Sequence, residues 1–408
     1  MKISSNTLTA TKLLKFGLGG YLLMILFNGY IKHIGLSIGF VETIRPVLPE
    51  VFALAAVFSW MIQGRRLLRE DVGFWCYFIY VCLLSVPSCG NLNSVLSIVR
   101  DMIIPFFLLS ILSTIRLSQK DNDQLMIVIR NIFALFIIIG FFAAVQQKIL
   151  GWRWTSNFFV GEEVWGVDRN LSIRISSGWL GFKVLGTTGS AETFGFYSAF
   201  AVLYLPFFGF RKLYINWVLI GLAMVNILLS GMKTPFLIAV VIIFAIVFLP
   251  NRKKMGIVSK ISIMAVGIGV FAYMIFSGGA WTESSMYMRL ELWKDLASSE
   301  HIVNLLVPHS LFSYSDGAGN SGITGFWDNA YLYVAYSLGI FGLIAISRLL
   351  MRRFKLVQKV DAHRYMTYAY LFLALTSITT CVFFGRNVLG IFLIIVGLRT
   401  ANARRVLS

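Results

Sequence analysis

Apolar residues in this chain run in long unbroken blocks, and the blocks are separated by short polar or charged segments. Strict apolar–polar alternation, the mark of strands lining a membrane barrel, is missing. Blocks of 16 residues or more fall at about 16–31, 47–63, 73–88, 95–113, 125–147, 191–209, 215–230, 235–250, 257–277, 328–347, 365–384 and 387–402. Each is long enough, as a helix, to cross or nearly cross a hydrocarbon core of about 30 Å. A lipid-embedded backbone must satisfy its own hydrogen bonds, which selects helices for continuous apolar runs. The pattern predicts an all-α polytopic membrane protein with about 12 transmembrane helices, forming one integral membrane domain over 1–408. Two connections are long, 148–190 and 278–327, and both fall on the same side when the spans alternate.

Composition agrees with this pattern. Hydrophobic residues make up 58% of the 408 and charged residues only 13%, with a mean hydropathy of +0.78. A soluble fold of this length has no interior large enough to hide that much apolar surface. The net charge of +18 first suggests nucleic acid, but its distribution supplies another cause. With the N-terminus on the cytoplasmic side, 24 of the 36 Lys and Arg fall on that side, against 5 of the 18 Asp and Glu. This is the positive-inside asymmetry, and the reverse orientation violates it at nearly every loop. Arg65, Arg66 and Arg69 mark one inner segment, Arg252, Lys253 and Lys254 a second, and Arg352, Arg353 and Lys355 a third. The basic charge therefore reads as a topology device that also favours anionic lipid, with no nucleic-acid partner. Both termini are expected in the cytoplasm, the first apolar run is expected to be a retained anchor, and the two long loops are expected outside. Cysteines at 76, 82, 89 and 381 have no metal-ligand spacing and read as small apolar core residues.

Long outer loops over minimal inner ones place the work of such a protein on its outer face. Seven of the ten tryptophans lie in or beside these loops, Trp293 among them. They are either an interfacial aromatic belt or platforms for stacking sugars. Ionisable residues at span ends are the default functional candidates. On the outer side these are Arg45, Arg100 with Asp101, Lys183, Lys233 and Arg386. Several cations at one membrane depth suit an anion with many acceptor oxygens, such as a lipid-linked diphosphate, although snorkelling explains any one of them alone. Arg289 and Trp293 share a helical face. Asp328, followed by Asn329 and Tyr331, opens the tenth span as either a general base or a helix cap. Glu192 stands where the first long loop re-enters the membrane, after the glycine-rich Gly186-Thr-Thr-Gly-Ser. No Walker A or HExxH pattern occurs, and Asp121-Asn-Asp123 falls on the inner side. Neither a metal nor a nucleotide-sugar cofactor is indicated.

In order along roughly 40–345, several segments resemble the O-antigen polymerase and ligase superfamily, Wzy-type polymerases above all. They are Thr43-Ile-Arg-Pro, Val99-Arg-Asp, Gly186-Thr-Thr-Gly-Ser-Ala-Glu-Thr-Phe-Gly-Phe, Leu229-Ser-Gly-Met-Lys-Thr, Arg289-x-x-x-Trp and Asp328-Asn-Ala-Tyr-Leu. The chain departs from the family at Lys183 and Lys233, where arginine is common. Arg174 precedes Gly186 by twelve positions instead of ten, and Asp328 stands where ligases place a histidine. The resemblance implies a GT-C-like glycosyltransferase of the bacterial inner membrane with two large periplasmic loops, acting without a metal on undecaprenyl-diphosphate-linked oligosaccharides. It also implies a separate chain-length-regulating co-polymerase as partner. Asp328, Glu192 and Arg289 would then be catalytic. Arg45, Arg100, Lys183, Lys233 and Arg386 would hold the diphosphate, and Trp293, Asn329 and Tyr331 the sugar. An O-antigen ligase and a flippase for lipid-linked saccharides are the alternatives.

Overall fold

The computed structural model describes residues 5–37, 44, 47–88, 99–160, 183–248, 307–308, 330–360, 365–379 and 388–407. All regular structure among the described residues is helical. The helices are α1 Ser5–Leu26, α2 Asn28–Ser37, α3 Leu48–Ile62, α4 Arg69–Ser85, α5 Ile104–Leu112 and α6 Gln119–Val160. They continue with α7 Ala191–Phe208, α8 Leu213–Ser230, α9 Lys233–Phe248, α10 Ala330–Gln358, α11 Tyr365–Thr379 and α12 Val388–Leu407. Helix is thus present at every expected span except 257–277, which lies outside the described residues. Among the described residues, five helices are long and apolar enough to cross a membrane: Thr9–Leu26, Gln119–Gly151, Ala191–Phe208, Leu213–Ser230 and Ala330–Gln358. Leu48–Ile62, Lys233–Ile246 and Tyr365–Ile378 are shorter apolar helices. Large apolar side chains such as Phe142, Ile149, Leu213 and Phe341 stand exposed on these helices, as they do where lipid is the solvent.

The chain forms two compact units, Met1–Arg65 with Ile115–Pro250, and Arg66–Thr114 with Asn251–Ser408. In the first unit α7 is the central helix. Every residue from Phe194 to Leu205 is buried, which is the fate of a helix apolar or small on all faces. Phe133 and Phe136 of α6 pack edge-on or tilted against Phe200, Tyr204, Phe194 and Tyr197 of α7. Two polar side chains inside this apolar layer reach backbone carbonyls. The Tyr204 hydroxyl donates to the Met126 carbonyl (3.0 Å) and Asn226 Nδ2 to the Ile137 carbonyl (3.0 Å). α1 lies against α3 through small residues on both sides. A Cβ on Gly17 would stand 2.7 Å from the Phe52 carbonyl, and Ala53 and Ala56 are buried opposite. Close approach of this kind replaces hydrophobic driving force where lipid is the solvent.

In the second unit α4 and α10 run antiparallel. The Arg353 guanidinium of α10 donates to the Asp71 carboxylate of α4, both side chains fully buried, and Arg352 meets Glu70 at 3.4 Å nearer the surface. The sequence reads Arg352 and Arg353 as part of an inner loop from about 350. Instead α10 continues to Gln358. Basic residues mark the end of the hydrocarbon but do not end a helix, and Arg353 turns inward. α10 is broken at Gly339 (φ 68°, ψ 173°), a backbone conformation that glycine adopts without steric cost. The Tyr77 hydroxyl enters this break, donating to the Leu338 carbonyl and accepting from the Gly342 N–H, and so replaces the helical bond lost there. Ahead of α5, Val99–Ile103 forms a wide π turn. Pro105 has no N–H to give the Asp101 carbonyl and its ring crowds that carbonyl, so the turn opens. Cys76 is exposed on α4 and Cys82 half-buried, so Cys76 does not take the core position expected of it. Cys89 and Cys381 lie outside the described residues.

Candidate functional site

One end of the first unit is organised by a buried tight turn, Lys183–Ser190, which leads into α7. Val184, Leu185, Gly186, Thr187 and Thr188 are all buried, an unusual state for a loop whose backbone polar groups then need partners. The largest single share of that demand is met by one side chain. Gln147, 1% exposed and near the end of the long apolar stretch of α6, accepts from the Leu185 N–H (2.8 Å) and the Gly186 N–H (3.1 Å) through Oε1. Its Nε2 donates to the Gly186 carbonyl (2.8 Å). The amide therefore acts as a short piece of strand for the turn.

Thr187 carries the turn across to the first helix pair. Its hydroxyl donates to the Leu26 carbonyl (3.0 Å), and its own carbonyl accepts from the N–H groups of Gly29 (3.0 Å) and Tyr30 (3.3 Å). In a continuous helix Leu26 and Tyr30 would bond each other. Thr187 takes both partners, which is why the expected span 16–31 divides into α1 and α2. Thr188 closes the turn on the Leu185 carbonyl (3.1 Å) and the Ser190 carbonyl (2.8 Å). Ser190 then caps α7 by accepting from the Thr193 N–H (3.4 Å). Gly29 lies against the Gly189 backbone so closely that a Cβ there would overlap it.

Gly186 has φ +55°, and a Cβ on it would overlap the Phe194 ring. Gly186→Ala is therefore expected to destabilise the protein by roughly 2 kcal/mol, from left-handed strain plus a clash with a buried ring. A thermal melt of the purified variant in detergent checks this, and an unchanged midpoint would mean that the turn accepts a side chain.

The sequence candidates are distributed as follows. Lys183 and Glu192 stand at the two ends of the turn, both half-buried. The Val184 N–H reaches the Leu229 carbonyl (3.4 Å) at the end of α8, and Gly195 lies against Ser230 and Pro235. These contacts bring the start of α9, with Lys233 exposed at its first position, to the same end of the unit. α6 passes the expected loop boundary at 148, breaks at Gly151 (φ 87°) and continues helical to Val160. Three expected outer candidates, Lys183, Glu192 and Lys233, are thus carried by elements that converge at one end. The Lys15–Asp121 ion pair (3.2 Å) and the Arg130 guanidinium over the Phe210 ring (4.1 Å) lie at the other.

In the second unit Arg100 lies in the π turn before α5. Tyr331, 40% exposed in the first turn of α10, directs its hydroxyl at the Ala374 carbonyl (3.4 Å), a bond that ties α10 to α11. Arg45, Arg289, Trp293, Asp328, Asn329 and Arg386 lie outside the described residues. Sequence reasoning missed Gln147 and Thr187. The available signal for Gln147 was a neutral amide at the end of an otherwise apolar block, where polar side chains are held by partners. No cluster of three His, Cys, Asp or Glu capable of holding a metal occurs among the described residues. The chain matches no protein-family model and no curated protein.

Proposed function

We propose that this membrane protein is a metal-independent glycosyltransferase of the bacterial inner membrane. On this reading it joins undecaprenyl-diphosphate-linked repeat units of a surface polysaccharide at the periplasmic face. About twelve spans of GT-C-like arrangement hold both termini in the cytoplasm and present the loops 148–190 and 278–327 to the periplasm. The observation that carries the reading is the braced turn Lys183–Ser190. One of the segments that resemble the Wzy-type polymerases is a buried, hydrogen-bonded structure with Lys183 and Glu192 at its ends, and α9 brings Lys233 to the same end. A surface linker would have no need of such bracing.

In the proposed reaction a hydroxyl at the non-reducing end of the acceptor attacks the anomeric carbon of the donor chain. The C–O bond to undecaprenyl diphosphate breaks, the leaving group takes the electron pair, and Asp328 or Glu192 takes the hydroxyl proton. Arg45, Arg100, Lys183, Lys233, Arg289 and Arg386 supply the candidate cations for the leaving diphosphate. At an effective dielectric near 20, a cation about 4 Å from a unit charge contributes about 4 kcal/mol, of which only the part that grows in the transition state speeds the reaction. Trp293, Asn329 and Tyr331 are assigned to the sugars, and a co-polymerase sets chain length.

Deletion of the gene in its host, followed by gel analysis of the surface polysaccharide, tests the reading. Lipid core carrying one repeat unit is the expected result. Bare core with lipid-linked polymer accumulating would identify a ligase instead, and an unchanged ladder would end the glycan reading. Within that experiment Arg289→Ala, restored at normal protein level, is expected to give no polymer. Asp328→Asn is expected to lose it as well, whereas near-normal polymer would make Asp328 a helix cap.

A further inference from the structure

A groove of about 650 Å³ opens on the second unit between the start of α4 and the middle of α10. Its polar rim carries Arg69 and Arg348, both exposed and neither bonded to another described residue, while Arg352 beside them is taken by Glu70. Its walls are apolar, with Phe341 66% and Ile344 53% exposed above the buried Phe74. Gly73 forms part of the floor, and a Cβ there would meet nothing within 4 Å.

We propose that this groove binds an anionic phospholipid of the surrounding bilayer. The two guanidiniums hold the headgroup phosphate and one acyl chain lies along Phe341 and Ile344. The charge and the polarity gradient fit that occupant on both counts. Two uncompensated cations, one at the start of α4 and one within α10, need an anion at headgroup depth, and exposed aromatic and branched side chains directly beside them need hydrocarbon. Guanidinium forks match phosphate oxygens in pairs, which a snorkelling lysine does not do. The inference is independent of the glycosyltransferase reading, since it concerns a lipid of the membrane and not a substrate.

The full-length protein, delipidated in detergent, is titrated with phosphatidylglycerol or phosphatidylcholine and followed by native mass spectrometry. Wild type is expected to bind phosphatidylglycerol preferentially. Arg69→Gln with Arg348→Gln is expected to lower that affinity about twenty-five-fold, on the basis of about a factor of five for each surface arginine. Gly73→Leu fills the groove without touching its charge and is expected to weaken the acyl-chain contact, lowering phosphatidylglycerol affinity at least about threefold. Arg404→Gln with Arg405→Gln, exposed at the end of α12, is expected to leave the preference unchanged. Unchanged binding in the Arg69/Arg348 variant overturns the proposal. Equal loss in the Arg404/Arg405 variant also overturns it, because diffuse charge would then account for the attraction.

Discussion

Arg353→Leu is expected to cost roughly 3–5 kcal/mol of stability, because it leaves the Asp71 carboxylate fully buried with its cation removed. The neighbouring pair supplies an internal control. Arg352 and Glu70 are separated by 3.4 Å with side chains 39% and 47% exposed, so Arg352→Leu is expected to cost no more than about 1 kcal/mol. The two substitutions remove the same charge from adjacent positions of one helix, and only the surroundings differ. Asp71→Leu combined with Arg353→Met is expected to recover most of the loss, since a buried ion pair replaced by apolar side chains of similar volume is often neutral or stabilising. Thermal unfolding in detergent, followed by size-exclusion recovery, separates the four proteins. Equal midpoints for Arg352→Leu and Arg353→Leu would mean that Arg353 reaches solvent. A double variant as unstable as Arg353→Leu would mean that the pair is needed for geometry and not only for charge balance. This pair also fastens α10 to α4 one end away from Tyr77, so its loss is expected to loosen the groove that Arg69 and Arg348 flank.

Most of the helices were legible in the hydrophobic pattern because each is an unbroken apolar block. α7 and α8 fall within two residues of the blocks expected for them. Other features were hidden for physical reasons. The positive-inside rule counts charges by segment and carries no information on where an individual side chain turns. It therefore grouped Arg353 with Arg352 although one is buried and the other is not. The breaks at Gly151 and Gly339 depend on positive φ, and neither glycine differs in the sequence from the many that sit in regular helix. The division of the first apolar block at Phe27 is imposed by Thr187 from 160 positions away, so no local pattern announces it. The Gly-Thr-Thr-Gly segment was legible as a turn. Its burial was not, because the partner that makes burial affordable is a side chain 38 and 39 residues earlier. Of the candidate residues, Lys183, Glu192 and Lys233 fall at one end of the first unit, an arrangement that follows from alternation of the spans.

Gln147→Leu is expected to have the largest effect of any neutral substitution at that end of the unit. The leucine keeps volume and apolar contact in α6 but abandons the Leu185 N–H, the Gly186 N–H and the Gly186 carbonyl inside the protein. A buried backbone group without a partner costs about 1–3 kcal/mol, so the turn is expected to lose roughly 3 kcal/mol or more, or to leave its site and take up water. Gln147→Glu tests the same bracing with finer resolution. It keeps an acceptor for the two N–H groups but sets a second oxygen against the Gly186 carbonyl, where an amide had donated. Its stability is expected to fall between wild type and Gln147→Leu. Hydrogen exchange distinguishes a local from a global failure. In both variants the Leu185 and Gly186 amides are expected to exchange faster, while the Phe200 and Tyr204 amides in the centre of α7 keep their protection. Slow exchange at 185 and 186 in Gln147→Leu would mean that another group braces the turn. If exchange accelerates there and polymer formation in the host survives, the turn is a structural element of the bundle, and the functional weight placed on Lys183 and Glu192 in the proposed reaction would shift to Arg289.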